Sequence, residues 1–364
     1  LCALYAEILG VDGVTPDSSF VSLGGDSLSY VEMAVRLEQV VGRLPADWHA
    51  RPIRDLRPPD TPTAGRDGAR RSLETGVALR AVAILLVVGT HGGLFNVSGG
   101  AHLLLGLAGY NFARFHLTDV ARRDRIRHVW ASVGRILVPT LAWITAVMLL
   151  LDDYGVINIA LLHGILGPRE GGDGWHFWFI ETLVYLFVGA ALLLMIPAVD
   201  RLERRAPYAV PMAAVAAGLI TRYDVFDLLP RYHLPSAARV FWIFALGWAA
   251  AKATTRWRRL LVTGAILLTI PGYFDRPQRE AVIMAGLVLL VWVPSLPSLG
   301  WVNRAAGVLA AGSLYIYLTH WQVYPLLDHH DELLATAASL AVGLAYAAVA
   351  GWVTGRLRRL RRRT

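Results

Sequence analysis

Two residue types are nearly missing from this sequence, which contains one cysteine, Cys2, and one lysine, Lys252. A single cysteine excludes an intramolecular disulfide and a cysteine-rich metal site, and we expect no bound metal. Charged residues are also few, at 17% of the chain, whereas 55% of it is hydrophobic and the mean hydropathy is +0.47. This composition is too apolar for an ordinary soluble protein and predicts a membrane protein.

The formal net charge of +8 comes from arginines that stand in short clusters between long apolar blocks. A nucleic-acid-binding protein would instead carry a basic face on a soluble module, so we expect no nucleic-acid partner. Such clusters are typical of the cytoplasmic loops of a membrane protein. The preference for arginine over lysine suggests a GC-rich genome.

Residues 1–56 are polar, and their pattern predicts two helices joined by a long loop. Apolar residues recur at helical spacing from Leu1 to Leu9, and Gly10 ends that pattern. A second amphipathic helix follows from the segment Leu23-Gly24-Gly25-Asp26-Ser27-Leu28. Ser27 therefore lies at a helix N-terminus, where free N–H groups and the helix dipole favour a phosphate on its hydroxyl. A serine in this position taken alone would more often be a simple N-cap.

This segment, preceded by Phe20 and by a helix that ends Ile8-Leu9-Gly10-Val11, resembles the phosphopantetheine carrier domains of nonribosomal peptide synthetases. The resemblance implies a 4'-phosphopantetheine arm on Ser27, next to Asp26, and a phosphopantetheinyl transferase that attaches the arm. The chain opens without methionine and within a helix, so we expect an upstream adenylation domain or synthetase that loads it. Residues 57–76 have the composition of a linker, which would let the carrier swing.

The remaining residues, 77–364, predict an all-α membrane domain of about ten spans that follows the small carrier helix bundle. The apolar blocks lie at residues 77–95, 101–117, 133–151, 176–196, 208–221, 237–252, 259–273, 280–294, 305–319 and 334–354. With the N-terminus inside, the arginine-rich loops all fall on the cytoplasmic side, which predicts a cytoplasmic carrier and a cytoplasmic C-terminus. We therefore expect a multi-pass protein of a bacterial cytoplasmic membrane, in contact with membrane lipids.

Ionisable side chains within spans cost roughly 2.5 to 3.5 kcal/mol on insertion scales, which makes them candidates for function. Arg80 and His91 are eleven residues apart in the first span, so they lie on one helix face, about 16 Å apart along the axis. Arg80 could also snorkel to lipid headgroups, and His91 could be a packed polar residue. Glu181 lies in an apolar span, where a purely structural role is harder to justify.

Three motifs, in this order, resemble those of the membrane-bound acyltransferase 3 family. They are the span with Arg80 and His91, the segment His176-Phe177-Trp178-Phe179-Ile180-Glu181, and the segment Gly312-Ser313-Leu314-Tyr315-Ile316-Tyr317-Leu318-Thr319-His320. The resemblance covers residues 77–354 and implies an enzyme that transfers acyl groups. The candidate catalytic residues that follow from it are Arg80, His91, His176, Glu181, Ser313, Tyr317 and His320. The aromatic residues could instead form an interfacial belt, and the face with Ser313, Tyr317 and His320 could be a packing stripe.

The sequence departs from the family at two points. The family has Arg-x-x-Arg before Ile and Pro, but this chain reads Ser132-Val133-Gly134-Arg135; where the family has Ser-Gly-Phe, this chain has Ala108-Gly109-Tyr110-Asn111. The family's arginine pair is associated with acyl-CoA, so Arg135 alone makes ordinary acyl-CoA binding doubtful. A donor carried on Ser27 would depend less on such a nucleotide-phosphate clamp.

The sequence thus predicts transfer of an acyl or aminoacyl group from the Ser27-linked thioester to a hydroxyl or amine acceptor within the membrane. His91 would be the general base, and Glu181 would orient it, balance its charge or serve as the base itself. Arg80 would stabilise the phosphate of the arm or the entrance of the tunnel. A covalent acyl intermediate on His91 is a variant of this mechanism. Two rivals stay open: a transporter or flippase for a carrier-released lipid or peptide, and an inactive membrane anchor for a synthetase.

Overall fold

A computed structural model describes residues 1–42, 44–45, 47–56, 71–167, 173–226, 236–327 and 331–361. Over these residues the fold is all-α, as predicted, with a small N-terminal domain packed on one end of a bundle of long helices. Most of the predicted linker, residues 57–70, lies outside the described residues.

The N-terminal domain contains helices α1 (Cys2–Leu9) and α2 (Ser27–Val41) and a 3-10 turn at Ile53–Asp55. Helix α1 ends where the sequence predicts, because Gly10 adopts a left-handed φ of 66° and donates its N–H to the carbonyl of Ala6. The core between the helices and the loop is closed by buried aromatic and aliphatic side chains: Tyr5, Phe20, Met33, Leu37, Trp48 and Leu56.

Two short strands join the end of the predicted linker to the bundle. Strand β1 (Arg71–Glu74) pairs antiparallel with β2 (Ser295–Ser298), so that Glu74 lies opposite Ser295. Within the described residues these are the only strands. The last residues of the predicted linker are therefore held by backbone hydrogen bonds, which fix the chain directly before the first long helix.

The helices that follow strand β1 are α3 (Thr75–His91), α4 (Gly100–Phe115), α5 (Arg122–Leu151), α6 (Val156–Ile159), α7 (His163–Leu166), α8 (Trp178–Met195), α9 (Pro197–Arg205), α10 (Ala209–Arg222), α11 (Ala237–Lys252), α12 (Arg256–Thr269), α13 (Pro277–Trp292), α14 (Gly300–Val323) and α15 (Glu332–Arg361). Two further 3-10 turns, at Asp173–Phe177 and Tyr324–Leu326, precede α8 and follow α14. Each predicted apolar block coincides with one of the longer helices.

In the described part of the chain, three helical segments are long and apolar enough on their own to cross a membrane: Arg122–Leu151, Trp175–Met195 and Glu332–Leu357. The outer surface of the bundle suits lipid, because Leu150 and Leu268 are 80% and 78% exposed. Helices α4 and α11 cross closely at glycines, since a Cβ on Gly109 would lie 1.8 Å from the carbonyl oxygen of Phe244.

Candidate active site between the N-terminal domain and the helix bundle

Ser27 lies where the N-terminal domain meets the helix bundle. It is the first residue of α2, and it lines a cavity whose empty space, including the open solvent next to it, is about 650 Å³. The polar residues that line this cavity with Ser27 are Asp26, Arg80, Asn111, His116, Ser132 and Ser313, and the apolar ones are Leu104, Leu107, Ala108, Ile136, Phe179, Leu183, Phe187 and Leu314. The serine predicted to carry the phosphopantetheine arm thus borders a cavity that is lined mainly by residues of the helix bundle.

The turn that presents Ser27 depends on two glycines. Gly24 has a φ of +79°, and a Cβ there would lie 2.7 Å from Cδ2 of His128, so only a residue without a side chain fits. A Cβ on Gly25 would lie 2.4 Å from the ring of Phe20. The Gly-Gly pair therefore lets the turn approach both its own core and helix α5.

Asp26, which precedes the serine, binds directly to α5. The Nε of Arg135 and the Oγ of Ser132 donate to Oδ2 of Asp26 at 2.7 Å and 3.0 Å. On the other oxygen, Oδ1 accepts from the backbone N–H and the hydroxyl of Ser29. Burial would raise the pKa of Asp26, but the Arg135 charge and the Ser29 N–H outweigh it and hold the pKa at about 2. The carboxylate is therefore ionised and only 3% exposed.

A second polar cluster joins the two parts on the other side of Ser27. Arg114 at the end of α4 forms an ion pair with Glu74, and its Nη2 donates to the hydroxyl of Tyr30 at 3.2 Å. The Tyr30 hydroxyl in turn donates to Glu74. Arg114 also donates from Nε to the Nε2 of His49 at 3.2 Å. Burial, together with the Arg114 charge, lowers the pKa of His49 to about 3, so this histidine is neutral.

The core of the N-terminal domain extends into the bundle. Phe115 of α4 and Ala310 of α14 are 1% and 0% exposed and belong to the same buried cluster as Phe20. The rings of Phe20 and Phe115 meet edge to face, with centroids 5.9 Å apart. A Cβ on Gly307 would lie 3.5 Å from a methyl group of Val35 on α2, an ordinary van der Waals distance.

Arg80 lies directly behind Ser27. Its Nη1 donates to the backbone carbonyl of Ser27 at 2.9 Å, and its Nε donates to Oγ of Ser313 at 2.7 Å. Arg80 also lines both this cavity and a smaller neighbouring pocket that Ser27 shares. Of the predicted site residues, Arg80, Ser313 and Arg135 therefore lie around Ser27, together with Asp26.

His91 and His320 form a second group at the opposite end of α3. Nδ1 of His91 lies 2.9 Å from Nε2 of His320, and Nδ1 of His320 lies 2.8 Å from the carbonyl oxygen of Tyr317. A carbonyl can only accept, so in the neutral ring Nδ1 of His320 carries the proton and its Nε2 accepts from His91. Nε2 of His91 is then unprotonated. His91 is exposed at the bundle end and His320 is fully buried.

His176 joins this group through aromatic packing. Its ring stacks on Trp321 with centroids 3.8 Å apart, and Trp321 contacts the ring of His91 at 4.4 Å. Nδ1 of His176 lies 2.9 Å from the hydroxyl of Tyr154, which also accepts from Gln322 at 2.5 Å. His91, His320 and His176 therefore share one cluster of rings.

Tyr317 and Phe179 separate the cavity from the histidines. Their ring centroids are 5.1 Å apart, and the Tyr317 hydroxyl donates to the carbonyl of His176 at 3.0 Å. Along α14 the cavity reaches Leu314, six residues before His320, which corresponds to about 9 Å of helix rise. The cavity from Ser27 thus ends one aromatic layer short of the histidine pair.

Glu181 lies in a different set of contacts from His91. Both of its carboxylate oxygens accept from the backbone N–H of Gly164, at 3.0 Å and 3.1 Å, and one accepts from the hydroxyl of Tyr185 at 2.6 Å. In the described residues, no contact joins this carboxylate to His91 or His320. The structure therefore shows Glu181 holding the loop with α7, while His320 is the partner of His91.

Several site residues are absent from the sequence-based candidates. Arg114 lies inside a predicted apolar block, so the rule for charges within spans would have identified it. His116, whose Nε2 lies 2.9 Å from the Ser132 hydroxyl, stands near the end of the same block. Nothing in the local pattern indicates Glu74 or His49, since their role comes from contacts with residues far away in the sequence.

Comparisons with protein families agree with this two-part arrangement. Residues 78–356 match the family model of an acyltransferase domain, and residues 1–47 match that of a phosphopantetheine attachment site. No curated protein and no solved structure matches the chain. The N-terminal match implies a covalently attached 4'-phosphopantetheine, and therefore a phosphopantetheinyl transferase and acyl-donating partners.

Proposed function

This chain belongs to the acyltransferase 3 family, and on that premise we propose that it transfers an acyl or aminoacyl group from a thioester on Ser27 to a hydroxyl or amine acceptor. The family is one of membrane-integral, acyl-transferring enzymes, which favours an enzyme over a transporter or an inactive anchor. The observation that carries the proposal is the position of Ser27, which opens from the carrier domain directly into a cavity of the acyltransferase domain.

The residues around Ser27 suit a phosphopantetheine arm. Arg80 is a cation next to the serine, and Asn111 and Ser313 supply further polar groups in a cavity that is also lined by leucine and phenylalanine side chains. When bound, the arm supplies the thioester that the acceptor attacks and the thiol that leaves. Arg80 would pair with its phosphate, and the apolar wall would exclude water from the thioester and so limit hydrolysis.

His91 is the proposed general base. Its Nε2 lone pair is available because Nδ1 donates to His320, and its exposed position at the bundle end lets an acceptor approach. His91 would take the proton from the acceptor hydroxyl or amine as the oxygen or nitrogen attacks. His320 then acts as a positioning residue, because it fixes which nitrogen of His91 carries the proton.

The distance between the two groups matches the length of the arm. Arg80, in contact with Ser27, and His91 are eleven residues apart on α3, which corresponds to about 16 Å. An extended phosphopantetheine chain spans about as much as five extended residues, roughly 17 Å. The Phe179–Tyr317 layer lies across this route, so we propose that these rings move aside when the thioester enters.

The experiment that tests this function starts from the full chain in detergent or nanodiscs, modified on Ser27 and loaded with candidate acyl and amino acids. Intact mass measurement identifies the loaded serine, and release of the thiol is then followed in the presence of membrane lipids and soluble acceptors. Ser27→Ala should abolish transfer even with abundant acyl-CoA. Full activity of Ser27→Ala with acyl-CoA would refute the carrier-borne donor.

His91→Ala tests the base and separates two chemical variants. It should leave loading of Ser27 intact and should lower transfer by roughly 10²- to 10⁴-fold, the range for a general base. If a quenched reaction of the wild-type chain retains labelled acyl group on His91, His91 acts through a covalent acyl-histidine intermediate and not as a general base. Unchanged transfer by His91→Ala would exclude both roles.

A further inference from the structure

We propose that Ser132 and Arg135 form a recognition site for the carboxylate of Asp26, so that the acyltransferase domain accepts its donor from a docked carrier with an acidic residue before the modified serine. The inference rests on the proposed function for its biological purpose. Its physical content, a specific docking contact, stands apart from catalysis. In this proposal, the contact between α5 and Asp26 holds Ser27 next to the cavity.

The geometry at Asp26 is that of a built binding site. Arg135 donates from Nε to Oδ2 of Asp26 at 2.7 Å and from Nη2 to the carbonyl of Gly24 at 3.2 Å. One guanidinium thus binds two groups of the carrier turn. The Ser132 hydroxyl donates to the same carboxylate oxygen at 3.0 Å and receives a further contact from Nη2 of Arg135 at 3.0 Å.

Burial makes this contact selective. The Asp26 side chain is 4% exposed in its ion pair with Arg135, and a buried carboxylate without a cation is strongly unfavourable. Ser132 lies behind Asp26, where its own hydroxyl meets Nε2 of His116 at 2.9 Å. A short side chain at position 132 therefore leaves the space that the carboxylate occupies, and an arginine there would not.

Shape adds to charge at the same turn. Gly24 packs against the ring of His128 on α5, one helical turn before Ser132, and any side chain at Gly24 would overlap that ring. Helix α5 thus contacts the carrier turn through His128, Ser132 and Arg135, which are spaced along one face. This face of α5 therefore selects a carrier turn that has no side chain at position 24 and a negative charge at position 26.

The test measures docking without catalysis. Ala310 is fully buried in the cluster shared with the carrier core, so in a Cys2→Ser background an Ala310→Cys thiol is reachable only when the carrier leaves the bundle. The alkylation rate of this thiol by N-ethylmaleimide then reports the undocked fraction of the full chain. Asp26→Asn and Arg135→Gln should each raise that rate roughly tenfold or more.

The substitutions are chosen so that a loss of docking can be distinguished from unfolding of the carrier domain. Asparagine is as good an N-cap as aspartate, so Asp26→Asn removes the charge while preserving the contact with Ser29. Modification of Ser27 in this variant, seen by intact mass, shows that the carrier domain still folds. Glu32→Gln on α2 and Arg127→Ala on α5 are matched controls, because both side chains are exposed, and their rates should equal that of the parent.

The double variant Asp26→Asn/Arg135→Gln tests whether Asp26 and Arg135 contribute to docking through their contact with each other. If the two residues act through each other, its alkylation rate should be no higher than that of the single variants and far below the product of their effects. Multiplicative effects, or single-variant rates equal to the controls, would overturn the recognition site. A positive docking result with no thioester transfer would leave the recognition site standing and refute only the proposed function.

Discussion

The hydrogen bond between His91 and His320 leads to a quantitative prediction about the proposed general base, His91. His320 is fully buried, and its Nδ1–H is held by the Tyr317 carbonyl, so its Nε2 is fixed as an acceptor. This holds the proton of His91 on Nδ1 and leaves Nε2 free to accept one. Replacing His320 by alanine removes the acceptor, and His91 can then adopt the unproductive tautomer or turn away.

The size of the effect follows from what each residue supplies. A general base contributes about 10²- to 10⁴-fold, or about 3 to 5 kcal/mol, and His91→Ala should lose all of it. A single hydrogen bond contributes a net 0.5 to 1.5 kcal/mol, so His320→Ala should lose roughly 2- to 12-fold. His320→Gln should lose less, because its side-chain carbonyl can accept from Nδ1–H of His91.

The assay is single-turnover transfer from the loaded full chain, with turnover and acceptor affinity measured separately. Thr319→Val is the matched control, since Thr319 is the adjacent, fully buried residue of α14 and the change keeps its shape. The double variant His91→Ala/His320→Ala should be no slower than His91→Ala, because His320 acts through His91. A double variant that loses the product of both effects, or a loss in His320→Ala as large as that in His91→Ala, would refute this reasoning.

Two further predictions concern the carrier interface. The pKa of His49, lowered to about 3 by burial and by the neighbouring Arg114, lies below the 6.5 of an unfolded chain, so its stabilising contribution is complete above pH 6.5 and is lost as the pH falls towards 3. Lowering the pH from 7.5 to 5 should therefore decrease the temperature of thermal unfolding, and His49→Gln should make this decrease smaller. An equal decrease of the unfolding temperature in both proteins would contradict the assignment. Gly24→Ala should lower the unfolding midpoint by several degrees more than Gly13→Ala, because both glycines have positive φ angles but only Gly24 faces a side chain, that of His128. Equal losses would show that the His128 contact does not constrain the turn.

Local patterns predicted the helices well because their causes are local. Apolar blocks of membrane length become helices whatever they pack against, and the start of α2 at Ser27 follows from the glycine pair before it. The spacing of Arg80 and His91 likewise fixed their separation on α3, although not their partners. Strand β1 was missed, because a four-residue strand depends on a partner more than two hundred residues away.

The partners of the ionisable residues could not be derived from spacing. Glu181 was expected to assist His91, yet its carboxylate binds the Gly164 N–H, a contact that depends on how a loop folds back over α8. The sequence also showed the Ser132–Arg135 pair only as a departure from a family pattern. Its meaning required the three-dimensional meeting of Asp26 with α5, which joins positions more than a hundred residues apart.

The composition of the carrier interface fits a domain that must both bind and leave. Ser27 has to reach a phosphopantetheinyl transferase before the proposed transfer can begin, so an interface that never opened would prevent attachment of the arm. The apolar part includes Phe115 and Ala310, whose burial against the carrier core favours docking. The two ionic clusters, around Arg135 and Arg114, add orientation but little net free energy, because removing their charges from water offsets most of their attraction. Strong geometric selection with modest net affinity is therefore what this interface should provide.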